Sequence, residues 1–242
     1  MIGAEELRDD TKYYGKEGKK YLSNSDIGTL LSDPKMFKVD KEGTLPMLLG
    51  RYFHTLILEP KKIKDFIVSE SSSRNTKMYK ELINDSDEPM LILQKEVDAL
   101  EKLVAEINQN VFFNELIYME DNKFEEPAIG EIGGVMWKGK ADIVTQDLII
   151  DLKTTSKIDD FKYAARRYNY DSQAWIYNQL FNKPMIFIVI EKGSGRMGMY
   201  DCSDEFLDMG KDKVFEALEI YKTFFGESPT EDINQYHIND TL

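Results

Sequence analysis

GKADIVTQDLIIDLKTT, residues 139–155, decides how this chain is read. Asp142 leads into Ile143-Val144, and Leu148-Ile149-Ile150 lead into Asp151-Leu152-Lys153. Short runs of apolar and β-branched residues read as buried strands. Thr145-Gln146-Asp147 between them reads as a tight turn, although it lacks the Asn-Gly or Asp-Gly of the strongest hairpin signals. A turn centred between Gln146 and Asp147 sets residue 142 opposite residue 151, where facing Cβ atoms lie about 4.5–5.5 Å apart. Two carboxylates that close repel unless a cation lies between them. Alternation places Asp151 and Lys153 on one face and Leu152 on the other.

Such a cluster meets the needs of metal-assisted phosphodiester hydrolysis. Mg²⁺ takes oxygen ligands in octahedral geometry, usually one or two carboxylates with several waters, and Asp142 and Asp151 are its candidate ligands. The ion polarises the phosphate and lowers the pKa of a bound water. Lys153 would orient that water or stabilise the pentavalent charge. The plainer reading is a surface hairpin with an Asp–Lys pair. Asp-x-Lys alone is a weak motif, but at the end of a LIID run, with a second Asp one hairpin upstream, it is far more specific.

Asp142 and Asp151-Leu152-Lys153 resemble the PD-(D/E)XK nuclease core. Together with GRYFHTLILEP at residues 50–60, DLKTT at 151–155 and Gln173-x-x-x-Tyr177, they resemble the exonuclease VIII (RecE-type) nucleases of phages and prophages over residues 21–200. Those nucleases are relatives of the RecB nuclease domain and, more distantly, of lambda exonuclease. The resemblance implies an α/β fold: a mixed central sheet flanked by helices, with helical N-terminal additions. It implies metal ligation by Asp142, Asp151, Leu152 and His54. It gives Gln173 a contact to the attacking water or scissile phosphate, and Tyr177 a contact to the DNA backbone. It also places an acid on the strand before Asp142. Glu126 fits that place best by position and Glu125 is the alternative; neighbours on a strand face opposite ways, so only one enters the site.

Each of these residues has a structural explanation as well. His54, on composition alone, reads as a partly buried, hydrogen-bonded histidine; the resemblance, which Gly50-x-x-x-His54 shares, implies a metal ligand or phosphate contact. Gln173 and Tyr177 share a helical face and would otherwise be a polar stripe beside Ala174, Ile176 and Leu180. Glu125 or Glu126 would otherwise be an exposed edge-strand acid. The activity implied is a Mg²⁺-dependent exonuclease, with Mn²⁺ as a substitute, that resects double-stranded DNA ends 5′ to 3′ for recombination by single-strand annealing. Similar enzymes are homo-oligomeric rings that work beside an annealing protein. The alternatives are an endonuclease or nickase with the same metal cluster, and a non-catalytic nucleic-acid-binding protein on a nuclease scaffold.

A chain of 242 residues is long enough for one α/β domain with a real core. It divides into an arm at 1–20, expected to be loosely ordered, mostly helical additions over 21–120, a catalytic core over 121–225 and an acidic tail over 226–242. Helices are expected from a cap at Ser23 or Ser25 to Pro34, and near 48–59, 75–83, 94–108, 158–167, 170–180 and 203–225, and further strands at 124–129, 135–137, 185–190 and 197–200. There is no apolar run of about 18 residues, so no membrane helix or membrane partner is expected, and the N-terminus lacks the apolar core of a signal peptide. The single cysteine, Cys202, rules out an internal disulfide and a four-cysteine iron–sulfur cluster and fits a reducing compartment such as the cytoplasm. A net charge of −13 sits awkwardly with DNA. Much of it lies from Ser203 onward, where three lysines stand against ten carboxylates; Lys157, Lys162, Arg166 and Arg167 form a local basic patch after the core strand.

Overall fold

The computed structural model describes residues 2–40 and 42–239. Six helices come first: α1 (Asp10–Tyr14), α2 (Asn24–Ser32), α3 (Leu45–Leu58), α4 (Lys77–Asn84), α5 (Gln94–Gln109) and α6 (Val111–Ile117). Among them β1 (Val68–Ser69) and β2 (Ile92–Leu93) form a short parallel pair. The central sheet follows, in spatial order β3 (Lys123–Ile132), β4 (Val135–Val144), β5 (Ile149–Thr155), β6 (Met185–Glu191) and β7 (Met197–Asp201). Its neighbours are antiparallel except β5 and β6, which run parallel. A parallel pair needs a long crossover, supplied here by α7 (Phe161–Arg167) and α8 (Tyr170–Phe181). The last helix is α9 (Asp204–Phe224). Mixed sheet, flanking helices and N-terminal helical additions are the expected α/β architecture.

Local chemistry explains the turns. Gly133 and Gly134, at φ +61° and +82°, close the β3–β4 hairpin in the left-handed region that glycine enters without penalty. The β4–β5 turn manages without glycine because the Thr145 hydroxyl accepts from the amides of Asp147 (3.2 Å) and Leu148 (3.0 Å). On β6 alternate residues serve opposite layers. Met185, Phe187 and Val189 pack with α2, α8 and α9, while Ile186, Ile188 and Ile190 pack with α3, α5 and α6. Both faces of this strand are thus covered by helices, which accounts for its continuous apolar run.

Ile143 pairs with Ile150 and Val144 with Ile149, the register that the turn predicts. The ladder ends there. Asp142 and Asp151 come next in register, but their strands part, and the Leu152 amide instead donates to Asp142 Oδ2 at 2.7 Å. At the same height β4 changes its alternation: Trp137 and Ala141 pack with α8 and α9, yet Ile143, of the same parity, packs with α3 and α5. The neighbouring β3 is distorted opposite this point, with Glu125 at φ +48° between the paired Phe124 and Glu126. A non-glycine residue held there costs about 1–3 kcal/mol, and such strain gathers at functional sites.

The arm departs from expectation. Leu7 is fully buried and Tyr13 nearly so. Arg8 donates to Glu126 at 2.6 Å, and the buried Lys138 ammonium donates to the Tyr13 carbonyl. The polar residues of 1–20 hid the two apolar anchors. Among the described residues no helix is long and apolar enough to cross a membrane.

Candidate active site

The fork at the end of the β4–β5 ladder receives side chains from four elements. Asp142 comes from β4, Asp151 and Lys153 from β5, His54 from α3 and Gln173 from α8. His54 Nε2 lies 2.9 Å from the Leu152 carbonyl and its Nδ1 lies 3.3 Å from Asp142 Oδ1. Asp151 is 1% exposed; its Oδ1 accepts from Gln173 Nε2 at 2.6 Å, and its Oδ2 has the Lys153 ammonium as ion-pair partner. Lys153 also lies 4.8 Å above the Tyr170 ring. All of these except Leu152 and Tyr170 line an open cleft of about 810 Å³, which Arg51, Lys62 and Lys140 also line.

Burial and mutual charge set the protonation states. Burial pushes Asp151 up to about 6, with Lys153 opposing and the Asp142 charge adding to the rise. Burial, followed by Asp142, lifts Glu125 to about 7. For Asp142 burial acts upward, but His54 and Lys153 outweigh it and its pKa falls below the ordinary carboxylate value. Burial likewise opposes charge on His54 and Lys153, yet the facing aspartates raise both. Perturbed carboxylates gathered in one cleft are a mark of functional sites.

Residues 34–229 match the family described as a PDDEXK-like domain of unknown function (DUF3799). The chain belongs to this PDDEXK-like family. Asp151-Leu152-Lys153 lies within the matched residues and has the form of a (D/E)XK sequence. A protein of Eubacterium rectale provisionally named an exonuclease shares the fold at a TM-score of 0.65, with 18% identity over 88% of this chain and 85% of its own. A phage related exonuclease from Haemophilus somnus 129PT aligns at 15% identity over 71% of this chain and 92% of its own, with a TM-score of 0.34. No curated protein matches the chain.

Read as a PDDEXK-like site, the cluster brings together most of the expected residues and corrects two. Glu126 is not in it: its carboxylate pairs with Arg8. Glu125 is. It falls opposite Asp142 between two register pairs of the β3–β4 ladder, its backbone left-handed, and it lines the cleft, where its carboxylate, the His54 imidazole and the Asp142 carboxylate lie within 4.8 Å of one another. Tyr177 does not offer its hydroxyl to a ligand. It is 7% exposed, donates to the Lys140 carbonyl at 2.9 Å and accepts from the Lys140 amide at 3.3 Å. Its ring lies over Gly139, where a Cβ would come within 2.8 Å. Tyr177 therefore fastens α8 to β4 one residue pair before Asp142. Gln173 reaches the cluster, but its amide holds Asp151.

The donor set fits a hard divalent ion. Glu125, Asp142, Asp151 and the Leu152 carbonyl supply oxygen, and His54 adds a nitrogen that Mn²⁺ tolerates as well. The approach of the Glu125, Asp142 and His54 donor atoms to within 4.8 Å of one another is the observation that favours this fit. Glu125→Gln is expected to weaken divalent-metal affinity by roughly tenfold or more, whereas Glu126→Gln leaves it within about twofold because Glu126 serves Arg8. Isothermal titration calorimetry with Mn²⁺ checks both, and an effect of Glu126→Gln equal to that of Glu125→Gln would contradict this assignment.

Proposed function

We propose that the chain is a metal-dependent exodeoxyribonuclease that degrades double-stranded DNA from its ends, 5′ to 3′, to prepare strands for annealing. The observation that carries the reading is the convergence of Asp142, Asp151, Lys153, His54 and Glu125 at one fork on an open cleft. Glu125, Asp142, Asp151, the Leu152 carbonyl and His54 would hold the ion. A bound divalent ion supplies a water of lowered pKa and a counter-charge for the phosphate. In the hydrolysis the water oxygen bonds to phosphorus, the P–O3′ bond breaks and the 3′ oxygen takes a proton.

Lys153 works here as a cation rather than a base. The two aspartates keep it charged, so it donates to the phosphoryl oxygens where negative charge accumulates. Gln173 and the Tyr170 ring fix Asp151 and Lys153 from the α8 side. A ring-shaped homo-oligomer acting with an annealing protein completes the proposal and suits an acidic exterior, because DNA in a channel meets only the channel wall.

The test is incubation with linear duplex labelled at each 5′ end and internally, with Mg²⁺ or EDTA, beside a closed circular control. Release of 5′ label from linear DNA alone, only with metal, is expected. Cutting of the circle would replace the exonuclease by an endonuclease. Failure to cleave either substrate with Mg²⁺ or Mn²⁺ would overturn the proposal.

A further inference from the structure

β4 brings more than Asp142 to the cleft side of the sheet. Lys138, Lys140 and Asp142 alternate along it and share one face, so Lys140 stands one side-chain row, about 6.6 Å along the strand, from the metal-binding aspartate. Both lysines are largely buried, and their ammonium groups are met by the N-terminal arm rather than by the body of the domain. Lys138 donates to the Tyr13 carbonyl and lies 3.9 Å over the Tyr13 ring. The Lys140 side chain is 6% exposed and pairs with one oxygen of Asp10, while Lys62 lies 3.3 Å from the other. Lys62 also pairs with Glu59 at 2.7 Å. Asp10 itself is about half exposed, at the start of α1.

A carboxylate whose two oxygens are taken by two lysines uses the same charge-assisted contacts that those lysines would give two oxygens of a phosphate. Resting on the exonuclease reading above, we propose that Lys140 and Lys62 form a binding site for a backbone phosphate of the DNA, and that the Asp10 carboxylate occupies it as a built-in competitor. The lysines, Asp10 and the acid cluster all line the same cleft. Displacing the competitor swings the Asp10 side chain toward solvent, where about half of it already lies. Leu7 and Tyr13 keep the arm anchored while it does so.

The arrangement also addresses the charge problem. A chain of net charge −13 takes up DNA only where its cations are locally concentrated. Here two cations of the cleft, Lys140 and Lys62, are masked by the chain's own acids until a stronger anion arrives. Asp10 would thereby discriminate against weak anions and in favour of polyanions, which make several such contacts at once.

The full-length protein and its Asp10→Asn, Lys140→Gln and doubly substituted forms would be titrated with a fluorescent duplex oligonucleotide, in Ca²⁺ to prevent cleavage. Asp10→Asn is expected to tighten binding about threefold to tenfold. Lys140→Gln is expected to weaken it and lower the salt slope by about one. The gain from Asp10→Asn should vanish in the Lys140→Gln background, since the two residues act at one site. Thermal melts would confirm that each variant folds, with Asp10→Ser replacing Asp10→Asn should the latter fail. Unchanged or weaker binding by folded Asp10→Asn, or a gain that persists without Lys140, would overturn the site. Should no form bind DNA, the exonuclease reading falls and thymidine 5′-monophosphate becomes the probe. Binding by Asp10→Asn that is lost in the double variant would then keep the phosphate site, and absence of binding would remove it.

Discussion

Asp151→Asn is expected to lower DNA turnover by about a thousandfold or more while leaving the protein folded. The amide keeps the shape of the carboxylate, and its oxygen still accepts from Gln173 Nε2, so α8 stays in place. It removes the ion-pair partner of Lys153 and, on the proposed function, a metal ligand as well. The same substitution makes a prediction about the metal-free protein. Asp151 is raised from 3.8 to about 6 in the fold, by burial first and by Asp142 as well. Between those values the folded state binds more protons than the unfolded state, so stability falls as pH rises through this window. Glu125, raised from 4.5 to about 7, extends the decline toward neutrality. In EDTA the wild-type melting temperature should therefore drop between about pH 4 and 7, and Asp151→Asn should flatten the acid half of that slope. Undiminished cleavage by Asp151→Asn would remove Asp151 from the site, and a pH slope identical to wild type would show that its carboxylate is not held in the strained state described.

What could be read in advance follows from which forces act locally. The β4–β5 pairing was legible because apolar runs of matched length on either side of Thr145 fix a register, and a one-residue slip would expose Ile143 and Ile150. The place of Asp142 and Asp151 at one height followed from that register. The parting of the strands beyond Ile143 did not, because it depends on the Asp142 carboxylate capping the Leu152 amide. Glu126 was preferred to Glu125 for a related reason. Strand alternation assigns Glu125 and Glu126 opposite faces, but a left-handed glutamate in mid-strand is a tertiary effect that no local propensity favours. The structured arm left a fainter trace. Lys138 and Lys140 flank Gly139 in an otherwise buried stretch, and a buried lysine requires a partner. That signal announces a covering segment without naming it, and the covering segment was the arm that polar composition suggested was loose.

The second large effect is structural and lies behind the site. Lys213→Met is expected to cost about 3–5 kcal/mol, because it strips the cation from a carboxylate that stays buried. Asp171, in the first turn of α8, has no solvent exposure. The Lys213 ammonium on α9 sits 2.8 Å and 3.0 Å from its two oxygens and also donates to the Arg166 carbonyl and Asn169 Oδ1. The helices cross closely here: a Cβ on Gly210 would fall 2.1 Å from the Asp171 carbonyl. At this chain length the loss corresponds to a fall of about 6–20 °C in melting temperature, measurable by calorimetry. Asp171→Asn combined with Lys213→Met should recover much of it, since the cost lies in the unpaired charge rather than in the missing contact. Gln173 stands two residues from Asp171 on the same helix, so the pair also fixes the amide that holds Asp151. Turnover measured well below the melting temperature should accordingly fall in Lys213→Met and return in the double variant. A loss of less than about 1 kcal/mol in the single variant would mean that solvent reaches Asp171 and that the α8–α9 crossing is held by apolar packing alone.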